Sequence, residues 1–168
     1  LQRLADDIEK KFNVAVMQLV FDVRMEKDVF HAIDSLPDEW KAIDILVNNA
    51  GLALGRDYFD EADMNDWNTM IDTNVKGFLY VAKAVSQLMA KRKKGHIINM
   101  SSIAGKEVYE KGNVYCATKF AVDALSQSMR IDLLRHGIKV TAVNPGAAET
   151  EFSLVRFKGD EATAKKIY

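Results

Sequence analysis

Two periodicities alternate along this chain, and their alternation limits the fold more tightly than any bulk property does. Short runs of β-branched and apolar residues occupy Val14–Phe21, Ile43–Val47, His96–Met100 and Lys139–Val143. Runs this short and this continuously apolar suit strands covered on both faces of a parallel sheet. Longer segments between them repeat apolar residues at helical spacing. These are Glu26–Leu36, Trp67–Lys93 (with Met70, Ile71, Val75, Phe78, Leu79, Ala82, Val85 and Leu88 on a repeating face) and Val114–His136, which Gly137 closes as a C-cap. Strand and helix in strict alternation predict right-handed βαβ units and an α/β, doubly wound parallel sheet.

Ligands of such sheets bind beyond the carboxyl ends of the strands. The polar clusters that follow the apolar runs are therefore the candidate site: Asp22-Val23, Asn48-Asn49-Ala50-Gly51, Ser101-Ser102 and Asn144-Pro145-Gly146. The only two prolines, Pro37 and Pro145, fall in predicted connections, as a buried sheet requires.

Composition narrows the function classes. The 168 residues fit one domain, 1–168, and a 48% hydrophobic fraction is enough to build its core. A net charge of −1 gives no global attraction to nucleic acid or to an anionic membrane. The one basic run, Lys91–Lys94, ends a helical stretch, where cations complement the helix dipole. Cys116 is the single cysteine, so no internal disulfide can form, and the chain suits a reducing, cytoplasmic compartment. His31, His96 and His136 are scattered without metal-ligand spacing, so no metal site is expected. No apolar run is long enough to span a bilayer. Leu1, Leu4, Ile8 and Phe12 recur at helical spacing from the first residue, as in the middle of a helix. The chain is expected to be truncated there.

Tyr115 and Lys119, four apart on a predicted helix, share a face. A neighbouring ammonium favours a phenolate and lowers the tyrosine pKa from near 10. Such a tyrosine can give a proton to a carbonyl oxygen or take one from an alcohol while hydride moves. Ser102, at the end of a predicted strand, can hydrogen-bond the same oxygen. Asn74 is a polar residue within a long helix, a place where side chain–backbone bonding bends helices. Each feature alone is also compatible with an ordinary turn serine, a surface asparagine or a helix-face tyrosine.

Taken together and in order, Asn48-Asn49-Ala50-Gly51, Asn74, Ser102, Tyr115-x-x-x-Lys119 and Pro145-Gly146 resemble the short-chain dehydrogenase/reductase family, over Asp22 to Thr150. The resemblance implies a Rossmann-like fold, a small-molecule alcohol or carbonyl substrate and a role for each matching residue. Tyr115 is then the general acid/base. Lys119 lowers its pKa and holds the nicotinamide ribose, and Ser102 orients the substrate oxygen. Asn74 holds a water in a proton relay from Lys119. Asp22 and Val23 border the adenine. Asn48, Ala50 and Gly51 line the cofactor near its adenosine ribose, and Pro145, Gly146 and Thr150 contact its nicotinamide end.

The family's opening strand and glycine-rich phosphate turn have no counterpart before Asp22, and no final strand follows the helical Glu161–Tyr168. The expected fold therefore lacks the first βαβ unit and the last strand. Gly112–Tyr115 and Thr150–Asp160 further resemble the NADP-dependent 3-hydroxy acid dehydrogenase branch, which includes serine and allo-threonine dehydrogenases. That likeness implies NADP, with NAD possible, and a substrate-covering lid after Gly146. Arg156 in this lid could bind a carboxylate through its planar fork of donors. The long helices Trp67–Lys93 and Val114–His136 resemble those that pair across two-fold axes in the family, implying a homodimer or homotetramer. A reductase of other carbonyls is a competing expectation. So is a non-catalytic nucleotide-binding protein, if the phosphate turn is truly absent.

Overall fold

A computed structural model describes residues 1–148 and 150–165. Three parallel strands, β1 (Ile45–Asn48), β2 (Gly95–Met100) and β3 (Ile138–Val143), form one sheet in the order β1-β2-β3. Leu46 registers with Ile97, and Ile97 with Val140, so these three side chains share one face. Helix α4 (Phe78–Arg92) packs on β1 and β2, and α5 (Asn113–Leu133) on β2 and β3. Helix α2 (Glu26–Asp34) packs against α4. Val29 and Ile33 of α2, Val85 and Met89 of α4, and Ile97, Ile138 and Val140 of the sheet make one buried core. Together these elements form the expected Rossmann-like α/β arrangement, with each crossover made through helix.

Three expectations need correction. The Val14–Phe21 run joins no strand ladder. Apolar patterning expresses a tendency to be buried, whereas a strand also needs a partner for its N–H and C=O groups. β1 pairs only with β2 among the described residues, so no ladder reaches this run. Met17 and Phe21 still pack on the core. The Val16 N–H donates to Glu9 Oε1 at 3.0 Å, tying the segment back to helix α1 (Gln2–Phe12). Second, the apolar runs anticipate strands covered on both faces. Among the described residues one face is covered, while Ile45 and Val47, pointing the other way, are 60% and 55% exposed.

Third, the predicted single helix Trp67–Lys93 is interrupted. Helix α3 (Met64–Ile71), N-capped by the Asp63 carboxylate accepting from the Asn65 N–H at 2.8 Å, runs into a π-helical turn over Asp72–Gly77 before α4 begins. Such wide turns recur at functional sites because they redirect side chains from the helix face. Here the redirected side chain is Asn74, which is 2% exposed. At the other end, α4 closes on Lys93 in a left-handed conformation, φ 53°. Helix α5 passes through a 3-10 turn, Leu134–His136, to Gly137 at φ 67°, the C-cap that the sequence predicts. Two short helices, α6 (Glu151–Arg156) and α7 (Glu161–Lys165), follow β3. The helical reading of Glu161–Tyr168 agrees through Lys165, and 166–168 lie outside the described residues.

Candidate active site

The carboxyl ends of the three strands open into a cleft of about 780 Å³. Asn49 and Gly51 line it after β1, Ser101 and Ser102 after β2, and Pro145 and Gly146 after β3. Tyr115 and Lys119 of α5 reach it from one side, and Thr150, Phe152 and Arg156 of the α6 region cover another.

Tyr115 is 8% exposed, its ring tilted against Phe152 at a centroid separation of 5.8 Å. Burial pushes its hydroxyl above the ordinary value near 10, because a phenolate in an apolar pocket loses hydration. The hydrogen bond from Ser102 and the charge of Arg156 act in the opposite direction, while Tyr109 and Cys116 add to the rise. This departs from the sequence expectation, in which Lys119 draws the phenol toward neutrality. The Lys119 ammonium instead donates to the Met100 carbonyl at 3.0 Å, with Nζ 5.8 Å from the Tyr115 ring centre. Burial lowers the pKa of Lys119 itself to about 8. Both groups are thus pressed toward their neutral forms.

Ser102 caps the 3-10 turn Ile103–Gly105, its Oγ accepting from the Ala104 N–H at 3.1 Å. The same turn is tied to the β3 loop, since the Ile103 N–H donates to the Pro145 carbonyl at 3.0 Å. It also sits on the backbone of α5. A Cβ on Gly105 would lie 2.6 Å from the Lys119 carbonyl oxygen and 2.9 Å from Ser101 Oγ. Gly105→Ala must therefore displace α5 at Lys119 or the turn that carries Ser102. Overpacking of this kind costs ~1–3 kcal/mol. Chemical denaturation should show that loss, and turnover should fall with it. An unchanged midpoint would mean that the turn is not fixed on α5.

Asn74 joins three elements. Its amide donates to the Leu52 carbonyl at 2.8 Å and to Thr118 Oγ1 at 3.1 Å, and its Oδ1 accepts from the Leu52 N–H at 2.8 Å. Both amide hydrogens are occupied, so its side chain braces the loop after β1 against α5. Asn74→Ala strands the Leu52 backbone groups and should lower stability by ~1–3 kcal/mol. Urea unfolding measures this directly, and a change under a few tenths would remove the bracing role.

The remaining predicted contacts divide. Gly51, Pro145, Gly146 and Thr150 line the cleft. Asn48 is buried below it, donating to the Phe78 carbonyl at 3.1 Å, and Ala50 is exposed beside it. Asp22 and Val23 do not line it. Asp22 pairs with Arg24 at 2.6 Å, a hydrogen bond that holds its carboxyl below the usual range, and Val23 packs against Gly77. Arg156 is no surface arginine but is 8% exposed, within the cleft wall. Sequence reasoning missed Arg56, Tyr109 and Phe152, which also line the cleft. No periodicity marks them, because long-range packing of the loops puts them there.

The cleft has the features a nicotinamide half needs. Its wall after β3 is small, with Gly146, Ala147 and Ala148, which leaves room for a flat ring. A Cβ on Gly51 would fall 3.3 Å from Asn74 Oδ1 and 3.7 Å from Lys119 Nζ, so the glycine keeps the approach to the lysine uncrowded. No group of His, Cys, Asp and Glu among the described residues could hold a metal ion, and no helix among them is long and apolar enough to cross a membrane.

Known proteins share this arrangement. The family model described as short chain dehydrogenase matches residues 1–160. The NADP-dependent 3-hydroxy acid dehydrogenase YdfG of Escherichia coli strain K12 is 48% identical over 100% of this chain, which spans 66% of that relative. The NADP-dependent 3-hydroxy acid dehydrogenase of Schizosaccharomyces pombe is 42% identical over 100% of this chain and 65% of its own length. A closed form of serine dehydrogenase complexed with NADP+ superposes with a TM-score of 0.90 at 46% identity, covering 99% of this chain and 68% of that one. A gluconate 5-dehydrogenase from Burkholderia cenocepacia, in complex with NADP and tartrate, gives 0.83 at 35% identity, over 96% of this chain and 62% of that one. The chain belongs to the short-chain dehydrogenase family.

Proposed function

We propose that this chain carries the catalytic half of an NADP-dependent dehydrogenase that interconverts 3-hydroxy acids and their carbonyl counterparts. NAD is the alternative cofactor. The observation that carries this reading is the meeting of Tyr115, Ser102 and Lys119 at the mouth of one strand-end cleft. A bound nicotinamide supplies the hydride acceptor or donor. Around it, Lys119 and Gly51 would face the ribose, and Pro145, Gly146 and Thr150 the ring end. Ser102 holds the reacting oxygen beside the Tyr115 hydroxyl. Tyr115, protonated at neutral pH, hands its proton to a carbonyl oxygen in reduction and takes it back in oxidation. Because burial and not a charge partner dominates its pKa, oxidation should rise steeply with pH, while reduction holds its rate at neutral pH.

Relatives named for NADP and 3-hydroxy acids support the cofactor and the substrate class. We further place the protein in the cytoplasm as a single-domain subunit of a homodimer or homotetramer. Apolar Phe120, Ile131 and Leu134, exposed on or just beyond α5, support such pairing. Steady-state assays of the complete protein test the reading, with NADP and NAD each offered with a 3-hydroxy acid. Turnover with NADP and a 3-hydroxy acid is the expected result, and none with either cofactor would refute it.

A further inference from the structure

The cleft carries three cations, Arg56, Lys119 and Arg156, and no Asp or Glu among the described residues lines it. Positive charge gathered in a cleft favours an anionic ligand. The two arginines differ in what already holds them. A guanidinium has five N–H donors. Arg156 donates through Nε to the Gly55 carbonyl at 3.1 Å and through Nη1 to the Tyr109 hydroxyl at 2.9 Å, and its own carbonyl accepts from the Gly55 N–H at 3.0 Å. Its guanidinium carbon also lies 5.6 Å from the Tyr109 ring centre and 5.5 Å from that of Tyr115. These bonds fasten α6 to the loop after β1.

Arg56 follows immediately on the glycine that Arg156 grips. It is exposed, and its guanidinium carbon lies 5.9 Å from the Tyr109 ring centre. Among the described residues it has no ion-pair partner, so its fork is open to a ligand that enters beside Tyr115. We propose that Arg56 grips the substrate's carboxylate, and that Arg156 is a positioning residue that holds Gly55, and through it Arg56, against the cleft. This rests on the dehydrogenase reading above and assigns the acid-selecting contact within it.

The test uses the complete protein at saturating nicotinamide cofactor, with 3-hydroxybutyrate and its uncharged methyl ester as the matched pair. Arg56→Ala should lose at least about 10-fold in kcat/KM on the acid, mainly through KM, as removal of a charge-assisted hydrogen bond does. The ester should lose several-fold less. Arg56→Lys, which keeps the charge without the fork, should recover part of the loss. Arg156→Ala should lower kcat on both substrates, because it loosens the lid. Equal losses on acid and ester in Arg56→Ala, or no loss on the acid, would overturn the assignment. So would an Arg156→Ala effect confined to the acid, which would make Arg156 the carboxylate ligand. If the unaltered protein turns over both compounds, either result removes only the role of Arg56. If it turns over neither, the dehydrogenase reading fails as well.

Discussion

Tyr115→Phe should lower kcat at least ~100-fold and leave the fold intact. The phenyl ring keeps the packing against Phe152 and Arg156, at 5.8 and 5.5 Å, so only the proton donor is removed. Ser102 loses the acceptor of its hydrogen bond, while its Oγ still caps the turn by accepting from the Ala104 N–H. A buried phenol with a raised pKa is itself destabilising to ionise, so the variant should unfold at the same denaturant concentration as the parent or slightly higher. Because the hydroxyl acts on the reacting oxygen and not on the cofactor, affinity for the oxidised nicotinamide should change little. A near-normal turnover rate would remove Tyr115 from the chemistry. A large loss accompanied by an equally large loss of stability would leave packing as the cause.

Lys119→Met should separate stability from activity. In the folded protein the ammonium loses its proton near pH 8, against an ordinary 10.5, because burial penalises the charge. The unfolded chain therefore binds more protons between these two values, and stability rises with pH across that window. Below about pH 8 the buried charge is destabilising by about 3 kcal/mol. Methionine removes that penalty but also the charge-assisted bond to the Met100 carbonyl, worth about 1.5–3 kcal/mol. At pH 7 the variant should thus be at least as stable, by up to about 1.5 kcal/mol, a rise of up to roughly 3–6 °C in Tm. The advantage should vanish as pH approaches 10.5. Meanwhile cofactor affinity should fall, because Lys119 lines the cleft where the proposed ribose site lies. A variant less stable at pH 7 would show that the lysine is held by bonds that outweigh its burial. Unchanged cofactor affinity would take Lys119 out of the proposed cofactor site.

The Tyr115 and Lys119 pair is readable in the sequence because its information is local: spacing of four on a helix puts them on one face whatever surrounds them. Ser102 and Gly146 are readable for a similar reason, since strand ends in a parallel sheet converge on one edge. The interruption at Asp72–Gly77 is not. Hydropathy hardly changes when one helical turn widens, and the cause, Asn74 meeting Leu52 and Thr118, is a contact between distant segments. Val14–Phe21 misleads for the converse reason, as Met17 and Phe21 do reach the core but no ladder reaches the run. Arg156 is found by its chemistry, yet its burial and its grip on Gly55, 101 positions away in sequence, depend on the intervening chain folding back. Arg56 and Tyr109 carry no pattern at all, and only the assembled fold brings them into the cleft that Tyr115 also lines.

The most direct test of the dehydrogenase reading follows one atom. The complete protein is given NADP+ and a 3-hydroxy acid bearing deuterium on its hydroxyl-bearing carbon, and the reduced cofactor is examined by NMR. The account predicts that the deuterium leaves that carbon as hydride and appears on nicotinamide C4, with one carbonyl product formed per reduced cofactor and the hydroxyl proton passing to Tyr115. Failure to form reduced cofactor, or reduced cofactor without deuterium at C4, would contradict it.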